Sequence, residues 1–276
     1  MKLRILFLSI FGTFVFNSCS TDGNSSNQNN NSTSVLPKTI NITNDEGTNF
    51  QYDFFYNGNK IDHINRKVSG IGWDGNNYEY NSVEYYTYNG NVITQINYSS
   101  GSINFTYQNG KMVNVGNFVN FQYEQNGTII RKETSSGDEY TISIISNNYG
   151  APSSILIDDC TINGAESVIN YNTSNSVYKN ILGFNSMLSN MNINPFSVKN
   201  ADWCSTVICP IGGLDYWNSS LSPINNYSSI QYITSVVGNL NVYNYSYIYN
   251  ANNYPTSYQV FNAYGQPVEY GTIIYY

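Results

Sequence analysis

Aromatic residues on alternate positions, a short polar break and then an aliphatic run form the pattern that recurs along this chain. In "YTYNGNVITQI", Tyr86 and Tyr88 alternate with polar neighbours, Asn89 and Gly90 interrupt, and Val92, Ile93 and Ile96 follow. Period-two alternation reads as a half-buried strand. Asn followed by Gly tolerates the positive φ that a two-residue hairpin loop demands. With Asn89 and Gly90 as that loop, Tyr88 faces Asn91, Thr87 faces Val92, Tyr86 faces Ile93 and Tyr85 faces Thr94. Aromatic residues opposite β-branched ones are favourable cross-strand pairs.

The phrase returns as "FFYNGNKIDHI" from Phe54, "FTYQNGKMVNV" from Phe105 and "FQYEQNGTII" from Phe121. In "YIYNANNYPTSYQVF", from Tyr247, Asn253 stands where glycine is expected, and Asn accepts the left-handed conformation. "NYGAP" (148–152) and "AYGQP" (263–267) form a second repeated phrase. The spacing from Tyr to Asn-Gly varies, so the loops differ in length and the chain is not a strictly periodic solenoid. Strand patterns with turn signals run from about Ile40 to Ile169 and from about Ile230 to Tyr276. Between them Phe184, Met187, Leu188 and Met191 fall at helical spacing, stopped before Pro195. The expected fold is all-β: an antiparallel meander of hairpins, forming a large twisted sheet or an open barrel or sandwich. A short, partly helical insertion at about 181–228 interrupts a single domain spanning 37–276. The last run, "YGTIIYY", is uncharged and β-prone, so it is expected to be a paired strand and not a tail.

The chain start changes the picture. Lys2 and Arg4 precede an apolar stretch from Ile5 to Phe16, too short to cross a bilayer as a helix but suited to a signal peptide over residues 1–18. Ser18 then Cys19 follows, which resembles the bacterial lipobox with Cys19 as the acylated residue. Residues 20–34 hold no apolar side chain and cannot offset their chain entropy by burial, so 19–36 reads as a disordered tether. A chain so anchored belongs in the cell envelope, on the outer membrane, with the membrane as its partner through the lipid.

Of 11 Lys and Arg against 18 Asp and Glu, Lys2 and Arg4 leave with the signal, so the mature side chains carry −9. That charge argues against nucleic acid, whose binding is led by cations on phosphate. Cys160, Cys204 and Cys209 remain beyond the anchor. A Cys204–Cys209 disulfide, a bridge from Cys160 to either, or no bridge all stay open. No metal or cofactor is expected, because three cysteines and one histidine make no recognisable zinc spacing and no phosphate or dinucleotide loop occurs.

Candidate chemistry is sparse, and no catalytic residue is assigned. His63, the one histidine, reads as a solvent-facing strand residue without a nucleophile turn. Asp158 and Asp159 are neighbours, so on a strand they point to opposite faces. Asp74, Asn76 and Glu79 fail the spacing of a calcium loop and read as a polar hairpin loop.

The repeats resemble the tyrosine–aspartate (YD, RHS-like) pattern Y-x-Y-D-x-x-G-R-L, with Tyr123, Glu124 and Gly127, and with Tyr247, Tyr249 and Asn250, while the Arg-Leu pair is replaced throughout. With its short signal, Asn/Ser tether, Y-x-Y-N-x-x-G-Y-P hairpins and Asn194–Phe196, the chain resembles the small surface lipoproteins of Bacteroidota. That resemblance implies location and fold more than activity. Two functional classes remain. One is a non-catalytic binding or scaffold module whose tyrosine-rich face meets a glycan, a peptide or an envelope protein. The other is a hydrolase of surface glycans or other polymers, which requires two carboxylates ~5–9 Å apart in a cleft.

Overall fold

The computed structural model describes residues 35–183 and 225–276, apart from 73, 118, 126, 135–136, 138, 147–151, 160–164 and 235–239. Sixteen strands follow one another: β1 (Pro37–Asn44), β2 (Asn49–Asn57), β3 (Lys60–Ile71), β4 (Asn77–Asn89), β5 (Val92–Tyr98), β6 (Gly101–Gln108), β7 (Lys111–Val115) and β8 (Val119–Tyr123). They continue with β9 (Ile129–Glu133), β10 (Glu139–Ser146), β11 (Pro152–Asp159), β12 (Ala165–Asn175), β13 (Asn225–Thr234), β14 (Leu240–Tyr249), β15 (Pro255–Phe261) and β16 (Pro267–Tyr275). Each pairs antiparallel with the next, and β1 pairs with β16 from Pro37↔Tyr275 to Asn44↔Glu269, so the meander closes on itself. The final run is an integral strand with partners on both sides.

The recurring phrase has a local cause that differs from a plain Asn-Gly hairpin. In the β4–β5 hairpin the loop is Gly90–Asn91, since Asn89 pairs with Val92 and Tyr88 with Ile93. Gly90 has φ +58, whereas Asn91 stays out of the positive region. The register then shifts, so Thr87 faces Gln95, Tyr86 faces Ile96 and Tyr85 faces Asn97. The pairing expected from the sequence is therefore corrected, and the reason is a β-bulge at Thr94. The β2–β3 and β6–β7 hairpins carry the shift at the same distance from the turn, with Asp62 and Val113 as the extra residues, and β10–β11, β14–β15 and β15–β16 also shift by one residue beside their turns. A bulge turns a spacing of three into two inward-facing residues. Ile61 with Ile64, Ile93 with Ile96 and Met112 with Val115 are all buried. Among the described residues only the β6–β7 loop places Asn and Gly both at positive φ, Asn109 at +52 and Gly110 at +75.

A second turn type uses Asn-x-x-Gly. At Asn44, Glu124, Asn250 and Asn262 the first residue donates its N–H to the carbonyl four residues on, and the N–H three residues on returns to it. The fourth position takes positive φ at Gly47, Gly127, Asn253 and Gly265. Asn250 and Asn262 also accept backbone N–H bonds on Oδ1 from two and four residues ahead. An asparagine there stabilises the turn from its own side chain.

Alternation along the strands sends apolar residues inward. Ile64, Ile93, Ile96 and Met112 are 0% exposed, so no water-sized void touches them. A round ring of sixteen strands is wide enough for an aqueous channel, but behind β3, β5 and β7 the interior is packed with side chains instead. Among the described residues, the hairpin loops after even-numbered strands gather at one rim, with Val35 at the same end. The turns of 176–183 lie across this rim. Leu182 N–H donates to Asn59 O at 2.8 Å, Asn180 Nδ2 donates to Val35 O and Tyr254 Oη at 2.9 Å each, and Tyr178 is buried beneath. No helix occurs among the described residues; 184–224, where the helical spacing falls, lies outside them, and 225–228 belong to β13.

Tyrosines tie this rim together. Tyr107 Oη donates to Ile93 O at 2.9 Å, Tyr123 Oη to Met112 O at 2.8 Å, Tyr275 Oη to Pro255 O at 2.8 Å and Tyr56 Oη to Pro37 O at 2.9 Å. Tyr88 Oη instead receives the Ile61 N–H at 3.0 Å. In each case the tyrosine that closes an aromatic strand reaches the start of an earlier strand. The Tyr in the repeated phrase is thus a clamp between successive hairpins. Lys60 and Lys111 lie over the Tyr88 and Tyr123 rings at 5.4 and 4.7 Å from their centroids.

Candidate binding groove

The outward faces of β2, β3 and β4 carry three aligned rows. Register sets Gln51 opposite Lys67 and Lys67 opposite Asn81; Asp53 opposite Asn65 and Asn65 opposite Val83; and Phe55 opposite His63 and His63 opposite Tyr85. Pleating supplies this arrangement, because Tyr52 and Phe54 turn into the core and push their neighbours out. Gln51, Asp53, Asn65, Lys67, Asn81 and Tyr85 line an open groove of about 630 Å³, whose margin includes Ser99 of the β5–β6 turn.

Most side chains in the groove's lining are polar, set among substantial apolar surface, and its outward charges, Asp53 and Lys67, balance. Asp53 is the only carboxylate in its lining. Thr39 Oγ1 donates to Asp53 Oδ1 at 2.8 Å and Gln51 Nε2 to Oδ2 at 2.7 Å, so both oxygens are held. Lys67 Nζ is 2.8 Å from Glu79 Oε2, and Asn81 Nδ2 donates to Glu79 Oε1 at 3.2 Å. Those two hydrogen bonds keep the Glu79 carboxyl below its usual range. At one end the rings form a row: His63 stacks on Phe55 with centroids 4.3 Å apart, and Tyr85 follows at 5.6 Å.

His63 is an outward strand residue, as expected, with Nδ1 2.7 Å from Asp62 Oδ2. Asp74 and Asn76 bond each other within the β3–β4 turn, the polar loop read from the sequence, but Glu79, read as part of that loop, is a residue of β4 paired with Ser69, because the strand already begins at Asn77. Asp158 and Asp159 are successive positions of β11. Among the described residues no group of three His, Cys, Asp or Glu could hold a metal ion. Cys19, Cys160, Cys204 and Cys209 lie outside the described residues. The groove residues Gln51, Asp53, Asn65, Lys67 and Asn81 were not singled out by sequence. The available signal was only that they hold polar, outward positions of strands.

One buried acid sits behind this face. Glu84 accepts the Tyr86 hydroxyl at 3.1 Å, and burial raises its carboxyl against the opposing pull of Arg66, itself buried.

The outer wall of β1–β8 is built for water. Thr39, Asn41, Thr43, Asn65, Lys67, Gln95, Asn97, Asn104, Asn114, Asn120 and Gln122 face out, and amide bonds such as Gln95 Nε2 to Asn104 Oδ1 at 2.9 Å and Asn114 Nδ2 to Asn120 Oδ1 at 2.9 Å run across strands. A lipid-facing barrel presents an apolar outer band instead. No helix among the described residues is long and apolar enough to cross a membrane.

No protein-family profile matches this chain, and no curated protein does. Solved structures do. One is a porin-like protein from Bacteroides uniformis ATCC 8492, at TM-score 0.49 and 12% identity, covering 87% of this chain and 96% of that chain. Another is a porin-like protein from Bacteroides vulgatus ATCC 8482, at TM-score 0.36 and 11% identity, covering 88% and 99%.

Proposed function

We propose that this chain is a lipid-anchored, non-catalytic module of the bacterial cell envelope that binds an extended glycan along the outer groove of β2–β4. The observation that carries the reading is the groove itself. Amides of Gln51, Asn65 and Asn81, one carboxylate and one ammonium converge on an open channel that ends at the exposed ring of Tyr85. Sugar hydroxyls are met by such mixed donors and acceptors, and an aromatic ring offers an apolar face to the sugar's C–H surface. The hydrolase alternative finds no support in this groove, because a single carboxylate, already engaged twice, cannot serve as an acid–base pair.

The signal-like residues 1–18 and the Ser18–Cys19 junction support the anchor and the envelope location. The Asn-x-x-Gly turns and the tyrosine clamps supply a physical basis for the hairpin phrase shared with YD-like repeats.

The test is a glycan array probed with the full chain. Asp53→Ala and Tyr85→Ala should each weaken the best signal by roughly tenfold or more, a loss of about 1.4 kcal/mol. Tyr264→Ala, at an exposed turn, should leave it unchanged. Equal binding by all three variants, or cleavage of the bound glycan, would sink the reading. For the anchor, labelling with a fatty-acid analogue should mark the native chain and not Cys19→Ser; label on both refutes it.

A further inference from the structure

The β3–β4 hairpin outruns its neighbours. β4 pairs with β3 from Asn77 through Tyr85, but with β5 only from Tyr85 to Asn89. On the side away from β3, residues Asn77–Glu84 therefore pair with no described strand. That is an edge of eight residues, about 26 Å at ~3.3 Å each. Proteins blunt such edges with proline, a bulge or a free charge. Here the register runs without a shift from His63↔Tyr85 to Ile71↔Asn77, the segment has no proline, and Glu79 is neutralised by Lys67 at 2.8 Å. Beside the edge Ile71, Tyr78 and Tyr80 are 67%, 40% and 53% exposed, an apolar patch left uncovered.

We propose that a second copy of this chain completes the edge, β4 against β4, antiparallel about a two-fold axis at Tyr80. Charge selects both the occupant and the register. In a continuous sheet, facing residues share a face, so the registers differ by steps of two. Centring on Tyr80 puts Glu79 opposite the second copy's Asn81, Tyr78 opposite Ser82, Asn77 opposite Val83 and the Tyr80 rings side by side. Asn81 Nδ2 already reaches Glu79 Oε1 at 3.2 Å within one chain, and the same amide and carboxylate then meet across the axis. Centring on Glu79 would set two carboxylates face to face. Centring on Asn81 would set Glu79 against Val83 and Tyr78 against Glu84. Of these three registers the edge complements itself only in the one centred on Tyr80, and the resulting sheet carries the outer faces of both hairpins side by side. The interface is a short ladder with a few side chains, so the association should be weak, with Kd in the range of roughly 1–100 μM.

Sedimentation velocity of the full chain across that concentration range should show a monomer–dimer equilibrium. Tyr80→Cys should trap the dimer as a disulfide under mild oxidation, because the two facing Cβ atoms come within ~5 Å. Tyr78→Cys, facing Ser82 and several residues from its own symmetry mate, should not exceed the native chain. Asn81→Asp should weaken the dimer tenfold or more by facing Glu79 with a second carboxylate, while Asn81→Gln should keep it. A chain that stays monomeric, or a dimer trapped equally well through Tyr78→Cys, overturns the proposal. So does a monomer whose 77–84 amides are already protected from exchange, which would mean that another segment of the same chain covers the edge. None of these readings depends on glycan binding.

Discussion

The ring of Tyr258 fills the space in front of Gly271, its partner across β15 and β16. A Cβ on Gly271 would stand 2.0 Å from that ring, and Tyr258 Oη donates to Glu269 Oε1 at 2.7 Å on the same strand as the glycine. Gly271 is buried in a strand with no positive φ, so its role is room and not backbone freedom. Gly271→Ala should destabilise by about 1–3 kcal/mol through overpacking, read from denaturant unfolding. Adding Tyr258→Leu to that variant should recover part of the loss. A wild-type midpoint for Gly271→Ala alone would show that the ring is free to move aside.

The hairpins and their order were legible because aromatic strands, turns and aliphatic strands alternate visibly. Positive φ at Gly90, Gly127 and Asn253 followed from turn chemistry alone. Register was not legible. The spacing of Ile93 and Ile96 looks like a broken alternation, and only the bulge at Thr94 explains it. Closure was hidden for a different reason, since Pro37 and Tyr275 meet only through long-range pairing that no local pattern encodes. The groove was hidden because Asp53, Asn65 and Val83 are ordinary outward positions taken singly, and become a row only when three strands are placed in register.

The rim tyrosines should set the alkaline limit of the fold. Burial pushes the Tyr88 and Tyr123 hydroxyls up to about 12 from an ordinary 10.0, and raises Tyr56, Tyr107 and Tyr275 as well. For an acid whose folded value is raised, the stabilisation is whole below pH 10 and is lost as pH rises through 10 towards 12. Spectrophotometric titration should show exposed tyrosines ionising first, then a steep step coinciding with unfolding. Tyr107→Phe and Tyr123→Phe should each cost about 0.5–1.5 kcal/mol by removing one hydrogen bond to a carbonyl. A single ionisation centred at pH 10 would mean that the clamps are open in solution.

Gly183 ties the 176–183 turns to the β4–β5 loop. It has φ +78, and a Cβ there would lie 2.6 Å from Asn91 O and 3.2 Å from Ile93 N, both backbone atoms that cannot step aside. Gly183→Ala should therefore lift the segment from the rim. Hydrogen exchange is the appropriate readout, because the Leu182 amide that donates to Asn59 O should lose protection while β2 and β3 keep theirs. Gly90→Ala has the positive φ without the contact, since nothing lies within 4 Å of it, and should leave Leu182 protected. Equal protection of Leu182 in all three proteins would detach the segment from its assigned seat.

Closure of the ring makes the last strand indispensable and the chain ends interchangeable. β16 pairs with β15 through Ser257↔Thr272 and with β1 through Ile40↔Ile273, and Ile273 is buried. Removing residues 270–276 would strip both neighbours of partners and uncover Ile40 and Ile42, which lie in the core. Two long unpaired edges follow, and such edges aggregate. The truncated chain is expected to be insoluble or to lose its cooperative melting transition. The complementary test keeps every contact and moves the ends. Pro37 and Tyr275 are direct partners, so a short linker can join Tyr276 to Val35 while the chain is opened at the Ser99–Ser100 turn. That permutant should fold with a melting temperature within a few degrees of the unpermuted domain over residues 35–276. A soluble truncation that melts like the intact chain would show β16 to be peripheral, and a permutant that fails beside a healthy unpermuted domain would show that chain order, and not ring pairing, holds the sheet together.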